Sequence, residues 1–228
     1  MAGAVAAERA GADRVEVCAD LDVGGVTPSI GTVASVLART SRVGVQVLVR
    51  PRGGDFVHDE AEVAVMLADV AAVLALPAGV PVGLVIGSLT TDGRVDEEAT
   101  ARLVAAAGGA PVTFHRAFDD TADLSHSLET LVRLGVDRVL TGGGPGSAAE
   151  GTSRLASLHE QAAGRIVVLA AGGVRPGNVR TLVRDTGVGE VHGRAPATVA
   201  GRVVTSEDVA RTLVEACREP FTDPLDGH

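Results

Sequence analysis

The chain alternates short runs of β-branched residues with longer stretches of helical period, and this alternation limits its possible folds more than any other feature. It is typical of a parallel sheet covered by helices. Strands are predicted at residues 14–19, 45–50, 82–87, 111–115, 137–141, 165–170 and 188–192. Helices are predicted at residues 1–10, 29–38, 60–76, 96–107, 124–134, 148–163, 176–184 and 206–218. The pattern predicts one α/β domain over residues 1–228.

Seven strand–helix pairs follow an opening helix that has no strand before it, so the pattern is one strand short of an eight-stranded barrel. A (β/α)₈ barrel takes about 250 residues, and this chain has 228. An open, doubly wound sheet is the alternative, but no GxGxxG separates the first strand from the first helix. Polar residues also end most of the strands instead of clustering at one crevice. We therefore predict a TIM-type barrel that apparently lacks its first strand.

The composition excludes several classes of function. All 20 basic residues are Arg, so the chain has no lysine for a Schiff base, for pyridoxal phosphate or for a Walker-type nucleotide loop. A net charge of −9 with 2% aromatic residues disfavours nucleic acid and anionic lipid as partners. No apolar stretch reaches the roughly eighteen residues of a membrane span. Two distant cysteines and no leader sequence predict a reducing, cytoplasmic location.

Side-chain alternation along the strands predicts which residues point into the barrel. Valines occupy one face of most strands, and the opposite face carries polar groups: Glu16, Cys18, Gln46, Arg50, Thr113, His115, Glu190 and His192. An unpaired buried charge costs several kcal/mol, so these groups must pair with one another or bind something. A network of Arg–Glu pairs that serves only folding is the alternative. The favoured interpretation is a functional site, in which Glu16, His115, Glu190 and His192 supply acid–base catalysis.

The loops that follow the strands add groups suited to an anion. Guanidinium groups grip carboxylates and phosphates in a bidentate manner, and glycine-rich loops expose backbone amides to an anion. Surface salt bridges and tight turns are the alternatives. The predicted ligand is a small anionic molecule, and its candidate binding residues are Arg50, Arg52, Asp55, Arg116, Asp119, Gly142, Gly172, Gly173 and Gly193.

Candidate metal ligands are few. Cu(I) prefers thiolate and thioether ligands, and a copper carrier normally offers two or more of them close together. Cys18 is alone on its strand, Cys217 lies on the last predicted helix, and Met66 is predicted in the core. A harder site of nitrogen and oxygen ligands would require convergence of the inner histidine and glutamate residues.

Several segments resemble the copper homeostasis protein CutC family. They are GADRVEVC (11–18), GGVTPS (24–29), RPRGGDF (50–56), VTFHRAFD (112–119), RVLTG (138–142), AGGVR (171–175) and EVH (190–192). The resemblance covers nearly the whole chain and implies a cytoplasmic TIM barrel, usually a homo-oligomer, that is linked to copper tolerance and often described as binding copper. Two departures stand out: the family's first strand, similar to LEVCVDS, is not present with its cysteine, and the segment between His192 and the last helix is short.

Two hypotheses follow. In the first, which the resemblance carries, the protein binds or handles copper through Cys18, with support from His115 or His192. In the second, the protein is an enzyme that acts on a small phosphorylated or carboxylated metabolite through the strand-end Glu, His and Arg residues.

Overall fold

In the computed structural model, which describes residues 1–218, seven parallel strands form one sheet in chain order. They are β1 (Arg14–Val17), β2 (Gly44–Leu48), β3 (Val82–Ile86), β4 (Val112–Phe114), β5 (Arg138–Thr141), β6 (Val167–Ala170) and β7 (Glu190–Val191). Each predicted strand is present, in several cases shorter at its ends. Parallel neighbours in strict chain order, each connected through a helix, make an incomplete (β/α)₈ barrel, as predicted.

One helix precedes β1, another follows each of the seven strands, and together they cover the outer face of the sheet. They are α1 (Ala2–Ala10), α2 (Ile30–Leu37), α3 (Glu60–Leu74), α4 (Glu97–Ala106), α5 (Leu124–Arg133), α6 (Thr152–Ala162), α7 (Val179–Thr186) and α8 (Glu207–Arg218). Side-chain oxygens of the residues just before α2 to α5 accept hydrogen bonds from amides of the first helical turn, as N-caps do. The fullest example is Asp59, which forms a reciprocal capping box with Glu62.

The apolar core lies between the sheet and the helices. Val45, Val47 and Val49 of β2 and its carboxyl end are fully buried and pack with Met66 of α3, which confirms the predicted core position of that methionine. A second cluster is built around Phe114 and extends over α5, α6 and α7. No helix within residues 1–218 has the length and apolarity to cross a membrane.

The strand register confirms the predicted inner face. Glu16 lies opposite Gln46, and Gln46 lies opposite Gly83. Farther around the sheet, Thr113 lies opposite Arg138, and Leu169 lies opposite Glu190. Because side chains alternate along each strand, these residues share the face that turns away from the helices.

The two edges of the sheet, β1 and β7, are not paired with each other within residues 1–218. An ion pair spans the gap between them: Arg14 Nη2 lies 2.6 Å from the carboxylate of Glu190. Arg138 Nε donates to the same carboxylate at 3.1 Å. A gap therefore separates the two edge strands within residues 1–218, and Glu190 connects them through the side chain of Arg14.

Three features of the fold differ from the prediction. An antiparallel hairpin of β8 (Pro196–Val199) and β9 (Arg202–Thr205), with positive φ at Ala200 and Gly201, occupies a segment with no predicted strand. Helix α6 begins at residue 152 instead of 148, because the Gly151 amide donates to the Ser147 carbonyl in a turn that comes first. Helix α7 begins at residue 179 instead of 176, since a turn at 175–178 precedes it.

Candidate functional site

Arg50, Gly87 and His115 lie in one cross-strand row at the carboxyl ends of β2, β3 and β4. The register that pairs Leu48 with Val85, and Val85 with Thr113, places them side by side two residues later on the inner face. Gly87 leaves room for its neighbour, because a Cβ on Gly87 would overlap the imidazole ring of His115. The carboxyl end of the strands is where barrel proteins bind their ligands.

Arg50 is a buried cation that has no carboxylate partner within residues 1–218. Its guanidinium donates to the carbonyls of Val23 at 3.1 Å, Gly25 at 3.0 Å and Gly54 at 2.7 Å, and it stacks 4.6 Å from the ring centre of Phe56. The side chain has 5% of its surface exposed, and its Nε is buried with no hydrogen-bond partner. Burial and then the charge of Arg52 lower the pKa of Arg50, but a guanidinium stays charged in proteins.

His115 is a neutral hydrogen-bond donor. Its Nδ1 accepts from the amide of Ala117 at 3.1 Å, so the ring proton of the neutral form lies on Nε2. Burial, followed by the charges of Arg50 and His58, lowers the pKa of His115 to about 3. Its Nε2 is buried and has no partner. The acid–base role of His115 stays a prediction, and this environment favours donation from Nε2 over proton uptake.

His58 lies beside this row, on the loop before α3, and it was not identified as a site residue from the sequence. It precedes the N-cap of α3, and its Nδ1 lies 3.3 Å from Ser88 Oγ at the end of β3. Burial lowers the pKa of His58, and its Nε2 also has no partner. The only sequence signal was its place in the polar loop directly after the RPRGGDF segment.

The structure places Asp119 in a structural role at the next loop. Its buried carboxylate accepts hydrogen bonds from Thr141 Oγ1, from the amides of Gly142 and Gly144, and from Arg116 Nε. The Gly142 amide, predicted to face a ligand, thus already donates to a carboxylate of the chain. The Asp119 carboxylate accepts from these backbone amides in the way that a bound anion would.

Arg116 also faces the loops after β5 and β6. Its Nη2 donates to the Gly146 carbonyl at 2.8 Å, and its Nη1 lies 3.2 Å from where a Cβ on Gly172 would be. The amides of Gly172 and Gly173 donate no hydrogen bond to any residue in the described part of the chain. Arg116 and these two glycines therefore leave a second, more exposed position for an anion.

Arg52 and Asp55 bind each other instead of facing the barrel. Arg52 donates to Asp55 at 3.0 Å and to Glu62 of α3 at 2.5 Å. The Arg52 guanidinium lowers the pKa of Asp55. These two residues match the surface salt-bridge alternative and give the loop its shape.

The remaining candidates are scattered. Glu190 binds arginines that begin β1 and β5, at the end of the barrel opposite to Arg50. His192 is partly buried, and Gly193 packs so closely on α8 that a Cβ would lie 2.6 Å from Leu213. The side chain of Glu16 makes no hydrogen bond within residues 1–218, although its charge acts on Cys18. The structure thus joins Arg50 to His115, and Arg116 to Asp119 and Gly172, but it does not bring Glu190 to either group.

Cys18 is the candidate contact for copper. It is a free, partly buried thiol, and burial, followed by the charge of Glu16, raises its pKa to about 11. Its sulfur lies beside Gly25. No group of three or more His, Cys, Asp or Glu residues within residues 1–218 could hold a metal ion. The donor set does not fit a resident copper centre.

Comparison with known proteins gives a consistent result. The sequence model of the CutC family matches residues 1–197. A CutC family protein of Mesorhizobium japonicum is 50% identical over 190 residues, which is 83% of this chain and 72% of the relative. A human protein named copper homeostasis protein cutC homolog is 44% identical over 217 residues, 95% of this chain and 78% of the relative. A solved structure of a copper homeostasis protein CutC from Streptococcus agalactiae has a TM-score of 0.73 and 35% identity, and covers 79% of this chain and 88% of that chain.

Proposed function

The chain belongs to the CutC family, and we therefore propose that it acts in copper homeostasis, with copper ions as its cargo. The observation that carries the proposal is the similarity to the human copper homeostasis protein cutC homolog, which is 44% identical over almost the whole chain. In this chain the contact for copper is Cys18, because thiolate is the ligand that Cu(I) prefers.

A single thiol with a raised pKa is suited to exchange of copper rather than to storage. Copper binds the thiolate, so binding must release the proton of Cys18, whose pKa is about 11. Affinity at neutral pH is therefore reduced, and it rises by about tenfold per pH unit as long as the pH stays below that pKa.

Anaerobic competition titration of Cu(I) against a chelator tests this role. Cys18→Ser is expected to lower the affinity at least tenfold and to abolish its pH dependence between pH 7 and 9. Cys217→Ser is the matched control, because Cys217 is the other free cysteine and lies exposed on α8. Equal affinities of the two variants would remove Cys18 from the proposal.

The alternative function, an enzyme that acts on a small anionic metabolite, is supported by one specific observation. Arg50 is buried at the carboxyl end of the barrel without a carboxylate partner in the described residues. Burying an uncompensated charge costs several kcal/mol, and a bound anion would offset that cost. Arg116 with the free amides of Gly172 and Gly173 supplies a second contact for a ligand that carries two acidic groups.

A thermal-shift screen with phosphorylated and carboxylated metabolites tests the alternative. A ligand at one hundred times its dissociation constant should add about 2.7 kcal/mol of stability. The shift should disappear in Arg50→Lys, which keeps the charge but loses the guanidinium fork, and persist in Arg94→Ala, an exposed arginine that pairs with Asp92. Shifts are measured against the unliganded form of each variant, so a change in basal stability does not affect the comparison. A screen without hits would argue against the enzyme.

We also propose that the chain is a single domain that works in the cytoplasm as a homo-oligomer. Free cysteines support a reducing compartment. The unpaired edges of β1 and β7 support association with another copy, because edge strands offer free backbone groups. Light scattering of the purified chain measures its mass, and a monomer at micromolar concentration would contradict the oligomer.

A further inference from the structure

Three buried nitrogens that have no hydrogen-bond partner within residues 1–218 lie around the row at the carboxyl ends of β2 to β4: Arg50 Nε, His58 Nε2 and His115 Nε2. Their side chains are more than nine-tenths buried, with exposed fractions of 5%, 8% and 6%. Buried polar groups normally have a hydrogen-bond partner, and leaving one unpaired costs about 1–3 kcal/mol. Three such atoms in one place indicate a ligand that supplies what the chain does not.

The three side chains are neighbours. The Phe56 ring contacts the Arg50 guanidinium at 4.6 Å and the His115 ring at 4.9 Å, so it holds both in place. Arg50 and the protonated form of His58 both lie close enough to His115 to lower its pKa. No carboxylate within residues 1–218 is hydrogen-bonded to any of the three.

Hydrogen bonding fixes two of the three nitrogens, Arg50 Nε and His115 Nε2, as donors. Arg50 Nε can only donate. His115 Nε2 donates because its Nδ1 accepts from the Ala117 amide. The contact between His58 Nδ1 and Ser88 Oγ fits either ring tautomer, and the one in which the Ser88 hydroxyl donates leaves the ring proton on Nε2. The partner that Arg50 and His115 lack is therefore an acceptor, and His58 can donate to the same acceptor.

We propose that Arg50, His58 and His115 form a binding site for the carboxylate group of a small organic acid. The site deepens the alternative function above and rests on it. One guanidinium charge and two neutral imidazole donors match the single negative charge of a carboxylate. A phosphate dianion would keep one charge uncompensated in a buried site, so the site discriminates against it.

The proposal gives His115 a different task from a general base. Its neutral ring presents the Nε2–H to the ligand oxygen. The hydrogen bond from the Ala117 amide to Nδ1 keeps the ring in the tautomer that carries its proton on Nε2, so Nε2 remains a donor. His115 is accordingly a binding residue that polarises an oxygen without changing its own charge.

Two substitutions at His115 separate binding from structure. In His115→Asn the amide oxygen can replace Nδ1 and still accept from the Ala117 amide, but the donor at Nε2 is lost. In His115→Gln a side-chain amide reaches the Nε2 position, and the acceptor for Ala117 is lost instead. The carboxylate should bind at least tenfold more weakly to His115→Asn and within about threefold of the original affinity to His115→Gln.

The experiment uses the full chain, with acetate and pyruvate as carboxylate probes and inorganic phosphate as the comparison. Binding is followed by thermal shift and by long-range ¹H–¹⁵N spectra of the histidine rings, which report the proton on His115 Nε2 directly. We expect millimolar pyruvate or acetate to shift the His115 and His58 signals, and phosphate to leave them in place. His126→Asn, at an exposed histidine on α5, is the matched control and should bind as the original chain does.

Different failures have different meanings. One failure is that carboxylate binding disappears in Arg50→Lys but is unchanged in His115→Asn. This result would overturn the role of His115 and leave the anion site at Arg50 intact. Phosphate that shifts both histidine signals as strongly as pyruvate would overturn the carboxylate preference. If no probe shifts the signals of His58 or His115, the three nitrogens are satisfied by buried water, and the carboxylate site is overturned. The copper titration with Cys18→Ser tests a separate proposal, and none of these outcomes affects its interpretation.

Discussion

Asp119→Asn should destabilise the protein strongly, although the two side chains have nearly the same shape. The Asp119 carboxylate accepts from Thr141 Oγ1, from the amides of Gly142 and Gly144, and from Arg116 Nε. Each of these groups is a donor. An asparagine can offer only one acceptor oxygen, so its NH₂ group must face a donor wherever it points.

The size of the effect follows from the burial of the carboxylate. Removing one partner of a buried ion pair typically costs 3–5 kcal/mol. Asp119 has 3% of its side chain exposed, but Arg116 has 40% exposed and can regain water after the substitution. We therefore expect the lower end of that range, about 3 kcal/mol. With a urea m-value of about 3 kcal/mol/M, the unfolding midpoint should fall by about 1 M.

Urea unfolding followed by circular dichroism measures this midpoint. Asp120→Asn is the matched control, because the same chemical change is made one residue later at an exposed side chain. Its midpoint should stay within about 0.2 M of the original. If Asp119→Asn moved the midpoint no farther than Asp120→Asn does, Asp119 would not hold the glycine loop, and the structural role assigned to it would be wrong.

Two further predictions concern packing and acid stability. Gly87→Ala should lower the free energy of unfolding by about 1–3 kcal/mol and move the ring of His115, since the new Cβ overlaps that ring. Gly79→Ala is the control and should be neutral, because its new Cβ would meet nothing within 4 Å. Equal urea unfolding midpoints for the two variants would contradict this prediction. Glu8 has its pKa lowered from 4.5 to about 2, chiefly by the amide of Val43, so it stabilises the fold above pH 4.5, and this contribution is lost as the pH falls towards 2. Glu8→Gln should flatten the acid side of the stability profile measured by urea midpoints between pH 2 and 6, and an unchanged slope would refute the assignment.

The seven-stranded sheet could be predicted because its strands carry a strong signal. Buried valines alternate with polar residues along β1 and β2, and the same two-residue period predicted that Glu16 and Gln46 share the inner face. The hairpin of β8 and β9 has no such signal. Both strands are four residues long and largely exposed, so no buried face imposes a pattern on the sequence.

The site could be predicted only in part, because sequence gives the face of a strand but not the partners of a side chain. Arg50 and His115 were found from their strand-end positions. His58 was missed, since it lies on a loop with no period, and only the fold brings it to Ser88. The expected ligand role of the Gly142 amide is also replaced by a contact with Asp119, 23 residues earlier, which no local pattern could reveal.

The distribution of charge along the barrel supports an anion site at one end. At the amino ends of the strands, Glu190 is bound by Arg14 and Arg138, so carboxylate and guanidinium groups compensate each other there. At the carboxyl ends, Arg50 donates to backbone carbonyls and stacks on the face of Phe56, and these contacts stabilise the cation but do not neutralise it. The charge of Arg50, which forms no ion pair within residues 1–218, therefore lies at the end where barrels bind ligands, in a chain whose net charge is −9. A buried cation kept there against the overall charge is best explained by an anionic ligand that completes it.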